Sequence, residues 1–494
     1  MFLFGRRNEP SSVPQGTSAA SAAAKAPEAP IKQIPLDDVL NDIGDGWFQT
    51  RLTWVCGLGF SAAAVEVVLT GFAFTELRQV WNLTEYQLSM IPMLVGIGSI
   101  VGELLWGPIA DYIGRAYVFV LTTFLVVIFG IASALAPNIW WFAILRTMVG
   151  FGYGGNISVD FALFSEFLPL ESRGVRLFQM GLFWPVGQII CCLLAKFVIP
   201  PFGWRWFVGV CTVPVAITAC LRPFFPESPR WLLLHQRPEE ATEICRQVAI
   251  LNGVNPEDVG LVAGAEVSLE VEALQPQTFG RSMLSLKRLF EGPLLVTTIG
   301  AILFTVSLNG AGYGAQTLMP TLLQRKGIDK AEVYTTMIVN TLFQIPGIFM
   351  AGGLAVFIGR IIPFRLSLMG VFLSLCGFAF TRSQAGVLAT TSACSLFLEA
   401  GWSLMHVYLP EVYPTELRAT AIGANSAISS IITFGVPMVA AHVLTMDQQA
   451  GGGAWGTIVF FAVFSIFGVI GAFVCINVET KDRYLEDRMS KQKI

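Results

Sequence analysis

The sequence is poor in charge and in the side chains that enzymes use for metal or covalent chemistry. Charged residues make up 13% of the 494 positions against 54% hydrophobic residues, with a mean hydropathy of +0.64. So few charges cannot cover a water-facing surface. Only 3 histidines occur, without a Cys-x-x-Cys or His-x-x-x-His cluster, and the sequence has no Gly-Lys-Ser phosphate loop. We therefore predict a membrane protein that is not an enzyme and needs no cofactor, metal or ATP-driven step.

Twelve apolar stretches are long enough to cross a bilayer as helices, which requires about 20 residues each. They cover residues 52–74, 88–109, 117–136, 138–165, 177–200, 206–225, 294–320, 333–358, 362–381, 386–410, 420–445 and 454–477. Such runs are too long for barrel strands and lack their alternating polarity, and helices satisfy their own backbone groups in lipid. The predicted fold class is an all-α membrane protein with twelve transmembrane helices.

Polar segments divide the chain into five regions. Residues 1–45 are rich in Ala, Ser and Pro and predict a disordered tail, whereas residues 226–292 predict a linker with short helices. The six-helix bundles are then residues 46–225 and 293–478, followed by a tail over residues 479–494. Most Lys and Arg residues outside the spans fall on the side of the tails and the linker. The positive-inside rule therefore places both termini in the cytoplasm. We expect the membrane to be a plasma membrane or a vesicle membrane.

The two halves carry the same short motifs at a nearly constant offset along the chain. "GPIADYIGR" at 107–115 corresponds to "GGLAVFIGR" at 352–360, and "EFLPLESR" at 166–173 corresponds to "EVYPTELR" at 411–418. The first two motif pairs have an offset of 245, and a third pair, "PESPR" after the sixth span and "VETKDR" after the twelfth, has an offset of 252. The chain is therefore a duplicated six-helix unit with pseudo-symmetric halves, which is typical of secondary transporters that rock around a midplane site.

Charges in these motifs can pair across neighbouring helix ends, and Asp111 and Arg115 flank a tight glycine turn. We expect them to form a cytoplasmic gate that holds an outward-open state. The predicted gate contains Asp111, Arg115, Glu166, Arg173, Glu227, Arg230, Arg360, Glu411, Arg418 and Glu479, with Lys481 beside them. The alternative is that these are ordinary loop charges that follow the membrane topology.

Four motifs resemble the major facilitator superfamily over essentially the whole predicted ordered chain. They are Gly107-x-x-x-Asp111-x-x-Gly114-Arg115, Arg146-x-x-x-Gly150-x-Gly152, "PESPRW" at 226–231 and "PEVYPTELR" at 410–418. The stretches "EFLP", "GWRW" and "GYG" at Glu166, Gly203 and Gly312 are similar to the branch of synaptic vesicle 2-related, niacin-type and organic-ion transporters. The resemblance implies alternating access to a site between the halves.

The chain also departs from these families. Ala63 stands where vesicle-protein relatives have an acid three positions before the acid of the first helix, here Glu66, and Val356 replaces the acid that the repeat would place in the second half. The Gln-Gln sugar motif is absent from the seventh span, so a hexose substrate is not expected. The loop after the first span has no cysteine-rich insert of the kind found in animal organic-ion transporters.

Ionisable residues inside the spans predict the transport site, because they are costly in a bilayer unless they face a cavity or a partner. The candidates are Glu66, Glu103, Arg146, Asp160, Glu399 and His406. We expect Arg146 to pair with an acid of the first or second span, and Glu66 or Glu103 to exchange a proton. The alternative is a static ion pair. Asp160 lies too far from Arg146 along the fourth span to pair with it. It is nearer the cytoplasmic end, where it can belong to the gate region.

Aromatic and amide side chains should complete a pocket for the solute. The predicted substrate-binding set is Glu66, Glu103, Arg146, Trp184, Asn309, Tyr313, Glu399, Trp402, His406 and Asn425. We predict a monomeric, proton-coupled secondary transporter for a small organic ion or vitamin-like heterocycle, with cations favoured and no nucleic-acid partner. The alternative function is a non-transporting ligand-binding or sensor protein on a transporter scaffold.

The fourth span also contains Gly150-x-Gly152-x-x-Gly155, the spacing of a dinucleotide-binding fingerprint. That fingerprint needs a strand before it and a helix after it, which a transmembrane helix does not supply. Gly150 and Gly154 lie four positions apart and instead predict a flat helix face that a neighbouring helix can approach closely.

Overall fold

A computed structural model describes residues 32–262, 264–268, 287–292, 294–413, 415–449 and 454–475. The predicted tails over residues 1–31 and 479–494, including Glu479 and Lys481, lie outside the described residues. For Tyr313 and Arg418 the backbone is described but the side chain is not.

Seven helices form the six spans of the first half. They are α2 (Trp47–Trp81), α3 (Glu85–Ile113), α4 (Arg115–Ala134), α5 (Ile139–Glu166), α6 (Leu170–Gly181) with α7 (Phe183–Phe202), and α8 (Trp204–Leu221). Side chains fix where several of them begin: Thr84 accepts a hydrogen bond from Gln87 N at the start of α3, and Asn138 accepts from two backbone N–H groups of α5. A 3-10 turn, Arg222–Phe224, follows α8.

The second half repeats this arrangement. Its helices are α11 (Leu294–Ser307), α12 (Gly314–Arg325), α13 (Lys330–Ile358), α14 (Ile361–Phe380), α15 (Gln384–Val412), α16 (Thr415–Gln449) and α17 (Trp455–Ile470). A π-helical turn, Leu308–Tyr313, joins α11 to α12 within the seventh span. The turn packs closely against α15, since a Cβ on Gly312 would lie 2.7 Å from the end of the Leu398 side chain and would require that side chain to shift. Such π turns inside a helix often occur at functional sites.

The predicted twelve-helix fold is confirmed. Within the described ranges, ten helical stretches are long and apolar enough to cross a membrane. The fourth and tenth spans, α5 and α15, are 28 and 29 residues long but carry ionisable residues, among them Arg146, Asp160 and Glu399. Large apolar side chains such as Leu104 and Phe197 are exposed around the bundle, as a lipid environment requires.

Residues 32–45 are ordered, so the prediction of a disordered tail over residues 1–45 is wrong for this part. Strand β1 (Lys32–Pro35) pairs in parallel with β2 (Ala265–Ser268) of the linker, and α1 (Leu36–Ile43) follows it. Leu36, Val39, Leu40 and Ile43 of α1 are buried in a cluster with residues of the linker. Their i, i+3, i+4, i+7 spacing is the helical signal that the Ala-rich composition upstream obscured.

Two short helices lie in the linker, where the sequence predicts short helices. They are α9 (Pro229–Leu234) and α10 (Pro238–Leu251), and β2 follows. Asp37 forms an ion pair with Arg230 at 2.6 Å, and Asp45 forms one with Arg176 at 2.6 Å. The N-terminal segment is thereby joined both to the linker and to the start of the fifth span.

Glycines bring α3 and α5 into backbone contact, as the sequence predicted. A Cβ would lie 2.1 Å from Val95 O if placed on Gly150, and 2.3 Å from Ser99 O if placed on Gly154. The opposite helix contributes equally, since a Cβ on Gly102 would lie 2.3 Å from Phe151 O.

The second half contains the same close approach. A Cβ on Gly347 of α13 would lie 2.3 Å from Leu396 O of α15. Gly347 and Leu396 correspond to Gly102 and Phe151 under the offset that relates the sequence motifs. The duplication therefore extends from the charged loops into the packing of the bundles, and we call these two interfaces the glycine seams.

Candidate transport site

A cavity of about 150 Å³ lies between the halves. Its lining consists of Glu66, Val67, Thr70, Pro92, Val95, Ser99, Glu103, Tyr153, Trp184, Asn309, Thr317, Trp402, Ser429, Ser430 and Thr433. A volume of this order holds one small aromatic ring. Five predicted binding residues line it, namely Glu66, Glu103, Trp184, Asn309 and Trp402.

Arg146 pairs with Glu66, one of the partners that the sequence predicted. Arg146 Nη2 lies 2.6 Å from Glu66 Oε2 and also donates to the Glu66 backbone carbonyl at 3.2 Å. Both side chains are only 1% exposed. Arg146 Nε and Nη1 and Glu66 Oε1 have no hydrogen-bond partner among the described residues. The pair is therefore buried with unused hydrogen-bonding capacity, and its acid forms part of the cavity wall.

Glu103 has a different environment. Its Oε1 accepts a hydrogen bond from Ser99 at 3.1 Å within α3, and its Oε2 accepts from Ser430 of α16 at 3.4 Å. Ser430 belongs to the second half, so the Glu103 carboxylate lies where the two halves meet. No Lys or Arg forms an ion pair with it in the described part of the chain.

Arg146, Glu399, His406 and Asn425 are not part of the described cavity lining, and the Tyr313 side chain lies outside the described residues. Asn425 and Thr305 exchange hydrogen bonds of 2.7 and 2.9 Å in the buried second half, which satisfies the amide away from the cavity. His406 Nδ1 lies 2.9 Å from Trp402 O and its ring stacks on Trp402, consistent with the structural role that the sequence left open. Glu399 lies on α15 one turn before Trp402 and is partly buried.

Asp160, the acid nearer the cytoplasmic end of the fourth span, pairs with Arg222. Arg222 Nη2 lies 2.5 Å from Asp160 Oδ2, and its Nη1 donates to Thr123, Asn156 and the Phe119 carbonyl. Both charged side chains are buried, and a Cβ on Gly59 of α2 would collide with them. Sequence reasoning missed Arg222, although an arginine within the predicted sixth span carries the same signal as Arg146.

The predicted gate residues gather at one end of the bundle, within each half. We call this the motif end, the end that carries residues 107–116 and 352–360. Arg115 contacts Glu166 and lies 3.2 Å from Asp111, and Arg360 makes two hydrogen bonds of 3.1 and 3.2 Å with Glu411. The Arg115–Glu166 and Arg360–Glu411 pairs are related by the sequence repeat.

Three other gate residues have local partners. Glu227 accepts from the backbone N of Arg115 and Ala116 and so caps α4, Arg230 pairs with Asp37, and Arg173 donates to Leu168 O. Among the described residues, no hydrogen bond or ion pair at the motif end joins one half to the other. The described gate pairs therefore each form within one half, while the Arg418 side chain and Glu479 lie outside the described residues.

The halves are joined instead at the opposite end, which we call the far end, and near the middle of the bundle. Lys330 pairs with Glu76 at 3.1 Å, and Lys196 donates to Thr335 at 3.1 Å. Nearer the middle, Gln344 Nε2 donates to Gln188 Oε1 at 2.8 Å, and both amides are buried. Together with the Glu103–Ser430 contact, these are the hydrogen bonds and ion pairs between halves that the described residues show.

The sequence matches the family model described as "Sugar (and other) transporter" over residues 55–490. The chain belongs to this transporter family of the major facilitator superfamily. It is 27% identical to Organic cation/carnitine transporter 7 of Arabidopsis thaliana, over 93% of this chain and 97% of the relative. It is 28% identical to the niacin transporter NiaP of Acinetobacter baylyi (89% and 96% covered) and 28% identical to the synaptic vesicle 2-related protein of Rattus norvegicus (92% and 83% covered).

Solved structures share the fold. The partially occluded inward-open xylose transporter XylE from E. coli superposes with a TM-score of 0.68 at 18% identity, covering 88% of this chain and 99% of that one. These matches confirm the predicted superfamily, the predicted similarity to vesicle 2-related, niacin and organic-cation transporters, and the prediction that the chain is not an enzyme.

Proposed function

We propose that this member of the transporter family is a proton-coupled secondary transporter for a small organic solute, working by alternating access. The observation that carries the proposal is the buried Glu66–Arg146 pair, whose carboxylate lines the central cavity. A proton-coupled transporter needs such a group, because the coupling of proton binding to solute binding requires a site whose charge and contacts depend on both.

The Glu66–Arg146 pair can couple proton binding to solute binding through its charges. With Glu66 ionised, the two charges compensate each other in a medium where an unpaired charge is costly. Protonation of Glu66 leaves the Arg146 charge without compensation, and two Arg146 nitrogens, Nε and Nη1, have no acceptor among the described residues and can donate to another one. A change in Glu66 protonation therefore changes the preferred arrangement of α2 and α5. The two helices transmit this change to the position of the first half relative to the second.

We assign this conformation to the inward-facing state. The halves are hydrogen-bonded at the far end, whereas the motif end has no such contact among the described residues. The positive-inside pattern places the motif end in the cytoplasm. Opening toward the other side then requires the Lys330–Glu76 and Lys196–Thr335 contacts to break, while the Arg115–Glu166 and Arg360–Glu411 pairs keep the ends of each half rigid.

Transport into liposomes with an imposed pH gradient tests the proposal. Nicotinate and carnitine are the first solutes to use, because relatives are named for niacin and for organic cations and carnitine. We expect gradient-driven uptake by the wild type, loss of gradient dependence in Glu66→Gln, and normal uptake by Glu332→Gln, which removes an exposed acid at the far end. Ligand binding without flux across a broad solute panel would support the sensor alternative instead.

A further inference from the structure

The cavity contains two acids, and only one of them has a cationic partner. Glu66 is compensated by Arg146 at 2.6 Å, whereas Glu103 is held by the hydroxyls of Ser99 and Ser430. The lining therefore carries one uncompensated carboxylate when both acids are ionised. A cation brought to this wall would find a hydrogen-bond acceptor with a full charge, and charge-assisted hydrogen bonds are roughly twice as strong as neutral ones.

The position of Glu103 is fixed by the seam on which it lies. A Cβ on the neighbouring Gly102 would lie 2.3 Å from Phe151 O, and a Cβ on Gly98, one turn earlier, would lie 2.2 Å from Thr147 O. Helix α3 cannot rotate or slide against α5 without breaking these contacts. The carboxylate is therefore presented at a defined place on the wall, which a selective site needs.

Indole rings from both halves complete this environment. Trp184 of α7 and Trp402 of α15 line the same cavity as Glu103. Indole is the aromatic group that attracts cations most strongly, and it also stacks on flat rings. The cavity of about 150 Å³ limits the ligand to about one ring.

We infer that Glu103 is the charge-selecting residue of this transporter: it recognises the positively charged nitrogen of a small single-ring cation, while Glu66 remains the partner of Arg146. This assignment rests on the proposed function. It gives proton coupling to Glu66 and recognition of the solute's charge to Glu103. Because Ser430 of the second half donates to the same carboxylate, a cation bound to Glu103 also reaches the boundary along which the halves separate.

Binding of three near-isosteric rings to the full-length protein in nanodiscs tests the inference by calorimetry. The probes are 1-methylnicotinamide, which is a cation, nicotinamide, which is neutral, and nicotinate, which is an anion. We expect the wild type to bind the cation about 10- to 100-fold more tightly than the neutral ring, the range for hydrogen bonds to a charged group. Glu103→Gln should reduce this ratio to about one by weakening the cation alone, whereas Glu332→Gln should leave it unchanged.

Three results would overturn the inference: a wild type that prefers the neutral or anionic ring, no binding of the cation up to millimolar concentration, or a ratio that survives in Glu103→Gln. The double variant Glu66→Gln with Arg146→Met, which removes both charges of the pair, should retain the cation preference. Loss of the preference in this double variant would also overturn the division of roles. Cation selectivity that depends on Glu103, without solute flux in liposomes, would remove the proposed transport function and leave the charge-selecting role intact.

Discussion

Replacing Gly102 by alanine should destabilise the protein, although alanine is the better helix former. The added Cβ would lie 2.3 Å from Phe151 O, whereas ordinary contacts begin at 3.4 Å, so α3 and α5 would have to separate by about 1 Å. The obstructing atom belongs to the backbone and cannot rotate away. Overpacking costs about 1–3 kcal/mol, here in the upper part of that range, against about 1 kcal/mol gained in helix propensity. We expect a net loss of about 1–2 kcal/mol.

Gly107 supplies a matched control on the same helix. It lies five positions further along α3, and a Cβ there meets nothing within 4 Å. Gly107→Ala should therefore gain about 1 kcal/mol from helix propensity alone. Thermal unfolding in one detergent, followed by the exposure of buried cysteines to a thiol-reactive dye, should shift in opposite directions for the two variants. Gly347→Ala should behave like Gly102→Ala, because the repeat places Leu396 O at the same 2.3 Å.

Equal shifts for Gly102→Ala and Gly107→Ala would refute this reasoning. They would mean that the two helices can separate without cost, and that the glycine seam is not a rigid interface. A destabilised Gly102→Ala beside an unaffected Gly347→Ala would refute only the claim that the second half repeats the seam.

Three further predictions concern buried polar contacts. Arg146→Met should destabilise the protein by about 3–5 kcal/mol by leaving Glu66 unpaired, and adding Glu66→Gln should recover a large part of this loss, measured by thermal unfolding of the single and double variants. Arg222→Met should have an effect of the same size through Asp160, again relieved by Asp160→Asn. Gln344→Leu removes the side-chain hydrogen bond to Gln188 between the halves, near the middle of the bundle. It should shift the equilibrium away from the conformation in which the far end is closed, measured as the accessibility of cysteines placed at the far end.

The controls for these variants come from the surface. Arg237 forms an exposed pair with Glu240 on the linker helix α10, so Arg237→Met should change stability by less than about 1 kcal/mol. Double variants that are no more stable than Arg146→Met or Arg222→Met would show that the buried charges are not the source of the loss. Unchanged accessibility of far-end cysteines in Gln344→Leu would show that the hydrogen bond between Gln344 and Gln188 does not hold the halves together.

Local patterns in the sequence were sufficient for the features that depend on composition, periodicity and repetition. Apolar runs of about 20 residues predicted the twelve helices, because a bilayer admits few other structures. The repeated motifs predicted the duplicated halves, and the Gly150–Gly154 spacing predicted a close helix approach. The ionisable residues in the spans pointed to the cavity, where Glu66 and Glu103 lie.

Partner choice could not be read from the sequence, since it depends on which helices become neighbours. The sequence named no partner for Asp160, and the end of α8 lies close enough for Arg222 to pair with it. Asn425 was predicted to bind substrate, but its amide pairs with Thr305 in the second half. Residues 32–45 fold because the linker offers a strand and an apolar surface that are remote in the chain.

The sequence by itself determined the membrane fold, its duplication and the kinds of side chain available to a transport site, because each of these follows from local pattern. The tertiary structure decided which acid has a cationic partner and which has only hydroxyl partners. Glu66 and Glu103 are equivalent as carboxylates in apolar helices, and only the packing of α2, α3 and α5 places Arg146 against one and hydroxyl groups against the other.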